Sequence, residues 1–514
     1  MAVSRTTHAR RNIKSAAIIK LVTPITSFIT RTALIYSLGT MYLGLNGLFT
    51  AVIQVLSLAE LGFGSAMVFS LYKPIAEDDR VTVNALLRLY RRIYRVIGTV
   101  ILAVGLLLIP FLPRLIKNTL PDGLNLTVLY LMRLADTSVS YFLFSYRSSL
   151  LDASQQKRVF YYIHSVAKIA LCALQVTLLL LFKNYYMFCV VQPLIQIGIN
   201  LAIWRITEKK FPQYKCEGEL PKETVRDITK RVTGLFMFKV SHVLRNSFDS
   251  IILSAFLGLD VLAKYQNYLL IVTTVVGITS ILTDSTLSSV GNSVAMETKE
   301  KNYRDFRAIQ LLFMTVVGCV CACMCGLYQP FIRLWVREEN LFPTRLMLVF
   351  VVYFFTERMG NVCFQYRQAS GLWWEDRIRP IVDGLTNLTL NYILVQYIGV
   401  AGVMLSTILC QVFIDSVWGS RILFRSYFTE QKQRDYLVRL LLYAGVTAAA
   451  CGLSMVLCGF LPESGANAAM SLVWMGLRGL ICASCSGGIF LLAYRFLPEY
   501  GDAKRVVRKM LKRA

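Results

Sequence analysis

Residues 308–330 read AIQLLFMTVVGCVCACMCGLYQP, a run without a single Lys, Arg, Asp or Glu. A helix needs about 20 mostly apolar residues to cross the hydrocarbon core of a bilayer, so this run predicts a membrane-spanning helix. The same character extends over the chain, because 55% of its 514 residues are hydrophobic and 17% are charged, with a mean hydropathy of +0.54. Soluble domains are typically about 25% charged, so the composition excludes a disordered protein, a fibrous protein and an ordinary soluble enzyme. The chain is predicted to be an all-α integral membrane protein.

Similar apolar runs recur along the whole chain. Their connections are short, and the longest, 207–233, is too small for a catalytic domain, so we expect a membrane transporter and no enzyme. The runs predict about fourteen transmembrane helices, which we number spans 1 to 14: 17–39, 46–70, 93–113, 124–146, 159–182, 187–206, 234–258, 262–291, 308–330, 344–366, 380–399, 401–424, 437–461 and 469–495.

The distribution of basic residues predicts the orientation. If the N-terminus is cytoplasmic, the cytoplasmic segments hold 39 Lys and Arg and the outer loops hold seven. This asymmetry follows the positive-inside rule and places both termini in the cytoplasm of a multi-pass plasma-membrane protein. The net charge of +25 therefore indicates contact with anionic membrane lipids, including by the basic tail 496–514, and no nucleic-acid partner.

The chain also repeats itself. Three pairs of short motifs recur in the same order at offsets of 213 to 220 residues: 90–92 with 303–305, 110–116 with 330–335, and 144–147 with 364–367. Arg31 of span 1 and Arg245 of span 7 form a fourth pair. An even number of spans per repeat predicts two six-helix lobes related by a pseudo-two-fold axis along the membrane normal.

The repeat sets the predicted domain organisation. The N-terminal lobe is 1–207 with spans 1–6, and a cytoplasmic linker follows at 208–233. The C-terminal lobe is 234–424 with spans 7–12. Spans 13 and 14, within 437–495, lie outside the duplication and precede the cytoplasmic tail.

Polar residues form one stripe on each of the first helices of the two repeats. At 100° per residue, the members of each stripe fall within an arc of about 100° in span 1 and about 120° in span 7. We expect the two stripes to face one another between the lobes. The stripe of span 1 is Lys20, Thr23, Pro24, Ser27 and Arg31, and that of span 7 is Lys239, His242, Arg245, Asn246 and Asp249.

Two interpretations of these stripes remain open at this point. Arg245 and Asp249, four residues apart, would neutralise each other as a structural pair. The spacing matches no acid of the same helix with Lys239 or Arg31, which favours a water-filled cationic cavity. Such a cavity, with Arg31, Lys239, Arg245 and Lys20 as binding residues, suits an anionic substrate, and arginine binds a diphosphate well because it contacts phosphate oxygens bidentately. An exporter of organic cations would need acids there instead.

Other embedded charges are supporting or ion-coupling candidates. They are His242 and Asp249 of the stripe, Arg133 and Asp136, which are three residues apart, and Glu60. Glu60 and the lone acids of spans 8, 11 and 12 would either bind a coupling cation, H⁺ or Na⁺, or pair with a cavity arginine. No metal or other cofactor is expected. The Cys run 319–325 has no His or carboxylate beside it and is interpreted as packing.

Three adjacent stretches resemble a known family. They are 39–49 (GTMYLGLNGLF), 56–66 (LSLAELGFGSA) and 69–79 (FSLYKPIAEDD). In this order they resemble the Wzx-type polysaccharide (O-antigen and capsule) flippases of the multidrug/oligosaccharidyl-lipid/polysaccharide (MOP) exporter superfamily. The ending PFIRLW at 330–335 is similar to that superfamily too. Only Arg31 and Glu60 match its motifs residue by residue.

The resemblance implies a MATE/MOP-like fold with a cationic central cavity. It also implies translocation of an undecaprenyl-diphosphate-linked oligosaccharide to the outer face of a bacterial plasma membrane, with a polysaccharide polymerase and glycosyltransferases as pathway partners. In the related lipid II flippases, spans 13 and 14 form a groove for the lipid tail. A cation-coupled multidrug exporter of the same fold is the alternative. With alternating access, the outer gate is expected near the outer ends of spans 1 and 7, around Leu38 and Gly258.

Overall fold

The computed structural model describes residues 5–60, 63–117, 120, 123–462, 465 and 467–513. Every regular element in these residues is helical, and each predicted span coincides with one helix or with two consecutive helices. The first nine α-helices are α1 Arg5–Ser37, α2 Thr40–Leu56, α3 Phe63–Ala76, α4 Arg80–Leu108, α5 Leu126–Phe142, α6 Ser148–Ala153, α7 Lys157–Phe182, α8 Tyr185–Lys210 and α9 Lys222–Leu257. The other ten are α10 Leu259–Met296, α11 Lys299–Val336, α12 Thr344–Met359, α13 Asn361–Ala369, α14 Arg379–Ile398, α15 Val400–Leu409, α16 Gly419–Ser426, α17 Gln433–Gly459, α18 Ala468–Tyr494 and α19 Tyr500–Arg513.

Short polar residues begin several of these helices. Each accepts a hydrogen bond from a backbone N–H of the first turn, which would otherwise lack a partner. The caps are Asp79 for α4, Asn125 for α5, Asn184 for α8, Thr298 for α11 and Asn467 for α18.

Ten helices of the described residues are long and apolar enough to cross a membrane. Span 7 lies in α9, whose side chains are described only in part, and the other three predicted spans are divided, short or more polar. Span 2 is divided between α2 and α3, span 4 contains the 17-residue α5, and span 11 is the polar α14. These features lower the length or the hydropathy of a single helix without removing the helix. The all-α membrane architecture is confirmed.

The chain divides into two compact units, Met1–Ala263 and Lys264–Ala514. In the first unit, α1 packs against α7, α7 against α8, α8 against α5, and α2 against α9. The boundary at 263 lies after the first residues of α10, so α9 belongs to the first unit. The predicted lobes, which separate at 208–233, describe sequence repeats and stay a prediction.

In the second unit, α11 is the central helix. Helices α12, α17 and α18 pack against it, so the two helices outside the duplication are attached to span 9. The approach is close, since a Cβ at Gly326 would lie 2.5 Å from Cys482 Sγ and 3.0 Å from Cys458 Sγ. The cysteines here are free thiols that act as small packing residues.

Several spans are interrupted. Span 2 changes from α2 to a 3₁₀ turn, Ser57–Glu60, before α3 begins. Span 12 continues from α15 through a π-helical segment, Cys410–Trp418, into α16. Interruptions of transmembrane helices often position polar groups for binding or coupling, because they free backbone groups and redirect side chains.

Candidate functional site

The cations predicted for the cavity lie on α1 and α9. Arg31 is half-buried on α1, whereas Lys20, three turns earlier, is exposed. Arg245 is half-buried on α9, and Asp249 one turn later is 4% exposed.

The side chains of Lys239 and His242 lie outside the described residues. Whether the two polar stripes share a cavity therefore stays a prediction. The structure does define the turns that follow α1 and α9, and the backbone conformation at these two turns is the same.

A glycine follows each of the helices α1 and α9, and the two glycines have matching backbone conformations. Gly39 has φ 109° and ψ 171°, and Gly258 has φ 94° and ψ 171°. This left-handed φ strongly favours glycine. The two residues are 219 positions apart, within the range of offsets that defines the sequence repeat.

The turns at these glycines are in contact. Thr40 Oγ1, at the start of α2, donates a hydrogen bond of 2.7 Å to Asp260 Oδ1, at the start of α10. One turn further, a Cβ at Gly44 would lie 2.0 Å from the carbonyl oxygen of Leu259. The backbones are therefore close enough that only glycine fits at this position. The expected gate positions, Leu38 and Gly258, border this contact.

Glu60 ends the 3₁₀ turn that interrupts span 2, and two buried tyrosines hold its carboxylate. Tyr94 of α4 donates its hydroxyl to Glu60 Oε1 at 3.2 Å, and Tyr141 of α5 donates to Glu60 Oε2. The centroids of the two tyrosine rings are 5.8 Å apart. These two hydrogen bonds fix the carboxylate between α4 and α5.

Arg133 and Asp136 meet through a third residue. Arg133 of α5 is 7% exposed and donates to the side-chain oxygens of Gln192 and Asn46. Gln192 Nε2 in turn donates to Asp136 Oδ2 at 2.8 Å. The network joins α2, α5 and α8, so it positions these helices within the first unit. A supporting role in binding stays a prediction.

In the second unit, adjacent residues form a pair that sequence spacing did not suggest. Arg358 NH2 lies 3.2 Å from Glu357 Oε1, and Arg358 NH1 donates to Ser280 Oγ at 3.0 Å. A 100° separation on the helix predicts divergent side chains, but arginine is long enough to turn back toward its neighbour.

A larger buried network was missed by sequence reasoning. Asp376 accepts hydrogen bonds of 2.5 and 2.9 Å from Arg379 and lies 3.4 Å from Arg367 NH1. Arg379 also pairs with Asp415 of the π-helical segment. Both arginines are 4% exposed. The repeated Tyr-Arg motif at 366–367 is the sequence signal for this network, but counting basic residues between spans places Arg367 and Arg379 in a cytoplasmic segment and indicates no buried partner.

A third polar set links two neighbouring helices. Asn387 donates to Thr407 Oγ1 at 2.9 Å, Asn391 donates to Asn387 Oδ1 at 3.1 Å, and Ser406 donates to Asn391. These residues join α14 to α15 in the interior. Within the part of the chain that the structure describes, no group of three or more His, Cys, Asp or Glu could hold a metal ion.

No protein-family model and no curated protein sequence matches the chain. Solved structures do match. The lipid II flippase MurJ, in an inward closed conformation, is 13% identical with a TM-score of 0.68, and the match covers 95% of this chain and 99% of that chain.

Two MATE structures match over a smaller part of this chain. An inward-facing multidrug resistance MATE transporter of the MOP superfamily is 14% identical with a TM-score of 0.60, covering 79% of this chain and 98% of its own. A MATE transporter of Vibrio cholerae is 12% identical with a TM-score of 0.53, covering 83% and 98%.

The chain thus has the all-α membrane fold found in MATE transporters and MurJ. The identities are low, so the likeness establishes the fold and leaves the substrate to chemical argument.

Proposed function

We propose that the chain is a flippase that moves an undecaprenyl-diphosphate-linked oligosaccharide from the cytoplasmic to the outer face of a bacterial plasma membrane, by alternating access, for surface polysaccharide biosynthesis. The observation that carries this proposal is the extent of the fold match. The MurJ match covers 95% of the chain, whereas the two MATE matches cover 79% and 83%.

The difference in coverage is comparable in size to residues 433–514, which hold α17, α18 and α19 and form about a sixth of the chain. The MATE structures are themselves matched almost completely, so the unmatched residues belong to this chain. A MurJ-like extent, with two more helices packed on span 9, supports a flippase for a lipid-linked substrate over a drug exporter.

The embedded arginines supply the chemistry for a diphosphate. A sugar diphosphate cannot enter hydrocarbon unaided, because it would lose the hydration of its charges and hydroxyls. Arg31 and Arg245 are each placed on the first helix of a repeat, and a guanidinium can bind two phosphate oxygens at once. The polyprenyl tail can stay in the lipid while the head group passes between the lobes.

The contact between the α1–α2 and α9–α10 turns is, in this proposal, the closed outer gate. Alternating access requires that this gate open when the substrate is released. The contact is held by the Thr40–Asp260 hydrogen bond of 2.7 Å and by backbone packing at Gly44, which rigid-body motion of the two repeats can separate without unfolding a helix.

A cation-coupled multidrug exporter is the second candidate, since MATE transporters share the fold. Glu60 and Asp249 are acids that an organic cation or a coupling ion would use. The two functions differ in the expected consequence of losing the arginines, because a cation exporter does not need them for binding its substrate.

The test uses surface polysaccharide as the readout. Arg31→Ala and Arg245→Ala should each abolish surface polysaccharide while membrane protein levels hold, and Arg→Lys should rescue only in part, because an ammonium lacks the bidentate geometry. Arg95→Ala, which removes an exposed arginine of α4, is the matched control and should leave polysaccharide unchanged. Normal polysaccharide in both cavity variants would refute the assignment.

A further inference from the structure

The segment after α8 closes a cavity of about 300 Å³ on the first unit. We call this cavity the linker pocket. Arg91, Arg147 and Lys215 line it together with two acids, Glu208 and Glu217. The lining therefore carries a net charge of +1. None of its residues belongs to the cationic cavity predicted from the sequence.

The linker is docked rather than solvated along this stretch. The backbone N–H of Lys215 donates to Asn84 Oδ1 at 2.7 Å, and Arg88 NH1 donates to the carbonyl of Gly218 at 3.0 Å. Tyr214 is 6% exposed. These contacts fix the linker against α4, so one wall of the pocket is a structured part of the fold.

Arg147 is a largely buried cation with one unused donor. Its side chain is 13% exposed, and its buried Nε has no hydrogen-bond partner among the described residues. The carboxylate paired with it, Glu208, is 3.6 Å away and 53% exposed, so solvent weakens that pair. A largely buried guanidinium with an unused donor is costly unless an anion binds to it.

In the second repeat, the arginine of the same motif pairs with a buried carboxylate. Tyr366-Arg367 corresponds to Tyr146-Arg147, and Arg367 lies 3.4 Å from Asp376, a carboxylate that is itself 6% exposed. The first repeat has no buried carboxylate paired with its arginine among the described residues. It has an open pocket with two further cations instead.

We propose that the linker pocket binds a phosphate-bearing anion, with Arg147 as the bidentate donor and Arg91 and Lys215 as additional cationic contacts. The volume accommodates a phosphate or diphosphate group. The source is either a soluble phosphate or an anionic lipid head group of the cytoplasmic leaflet. The proposal does not rest on the proposed transport function.

A native cysteine reports on the pocket. Cys216 lines it, and its Sγ donates to the hydroxyl of Tyr146 at 3.3 Å. The other twelve cysteines all lie in helical segments of the spans. A charged maleimide should therefore label mainly Cys216 in the purified full chain, and mass spectrometry of the 211–221 peptide measures the rate directly.

Inorganic pyrophosphate should slow this labelling several-fold relative to KCl at equal ionic strength. In Arg147→Gln, we expect the pyrophosphate concentration needed for protection to rise about tenfold, as for the loss of a charge-assisted bidentate contact. Arg205→Gln removes an exposed arginine of α8 outside the pocket and should leave protection unchanged.

Two results would overturn the proposal: no protection of the wild-type chain, or equal loss of protection in Arg147→Gln and Arg205→Gln. If Arg147→Gln does not fold, Lys215→Gln, an exposed position, tests the same prediction with a smaller expected loss. Nanodiscs of phosphatidylglycerol and of phosphatidylcholine then separate the sources. Protection by phosphatidylglycerol alone indicates a lipid head group, and protection only by added pyrophosphate indicates a soluble anion.

Discussion

Replacing Gly44 with alanine should open the contact between the α1–α2 and α9–α10 turns. The new Cβ would lie 2.0 Å from the carbonyl oxygen, 2.7 Å from the carbonyl carbon and 3.0 Å from the Cα of Leu259. An ordinary contact begins near 3.4 Å, so the two backbones must separate by about 1.4 Å. No rotamer change can relieve the overlap, because all three atoms are backbone.

The expected cost falls on the closed state alone. Overpacking of a well-packed contact typically costs about 1–3 kcal/mol, which is comparable to the free-energy difference between two conformations of a transporter. A cost of about 2 kcal/mol to the closed state corresponds to a roughly 30-fold shift toward the open state. Gly44→Ala should therefore depopulate the closed outer gate without unfolding the chain.

Disulfide crosslinking measures this population. Gly258 is a poor site for a cysteine, since its φ of 94° strains any residue with a Cβ. Thr40 and Asp260 are better, because their side-chain oxygens are 2.7 Å apart. A Thr40→Cys/Asp260→Cys pair in a background without the native cysteines should crosslink readily, and crosslinking should block export until the bond is reduced.

Adding Gly44→Ala should slow the crosslink about tenfold or more. The control is Gly277→Ala in α10, where a Cβ meets nothing within 4 Å, so it changes helix propensity without steric overlap. Crosslinking of the Gly44→Ala chain at the parental rate would refute the steric argument.

Three further predictions concern stability, coupling and topology. Asp376→Asn leaves two buried arginines without their shared carboxylate, so it should cost about 3–5 kcal/mol of stability and lower the Tm in detergent. Glu430→Gln, on the surface, should leave the Tm unchanged, and equal Tm values for the two variants would contradict a stabilising network. Tyr141→Phe removes one of two donors to the carboxylate in the interrupted span 2 and should reduce transport several-fold with folding intact, so unchanged transport argues against a role for that carboxylate. A reporter fused after Lys215 should be cytoplasmic and one after Asn340 external, and the reverse pattern would contradict the predicted orientation.

The positions of the helices could be predicted from the sequence because burial in lipid requires long apolar runs. Each predicted span has its helix. The interruptions could not be predicted, since a 3₁₀ turn at 57–60 or a π-helical segment at 410–418 changes backbone hydrogen bonding without changing hydropathy. The repeat did indicate a shared plan, and the matching conformations of Gly39 and Gly258 agree with it.

The charged residues were harder to interpret. Loop counting treats every Lys and Arg near a span end as solvated, but Arg367 and Arg379 are 4% exposed and pair with Asp376. Sequence spacing also identifies only partners on the same helix. The contacts of Glu60 with Tyr94 and Tyr141 join three segments, and nothing in the spacing of those residues indicates that they meet.

The central claim is translocation of a diphosphate-linked lipid oligosaccharide, and a reconstitution assay measures it most directly. Purified protein is placed in proteoliposomes that contain a labelled undecaprenyl-diphosphate-linked oligosaccharide in both leaflets, and a membrane-impermeant glycan-modifying reagent is added outside. The account predicts that wild-type vesicles expose nearly all of the labelled lipid with time, whereas Arg31→Ala vesicles expose only the outer-leaflet fraction, as protein-free vesicles do. An exposed fraction in wild-type vesicles equal to that in protein-free vesicles, with uptake of an organic cation by the same preparation, would contradict the flippase and favour the multidrug exporter.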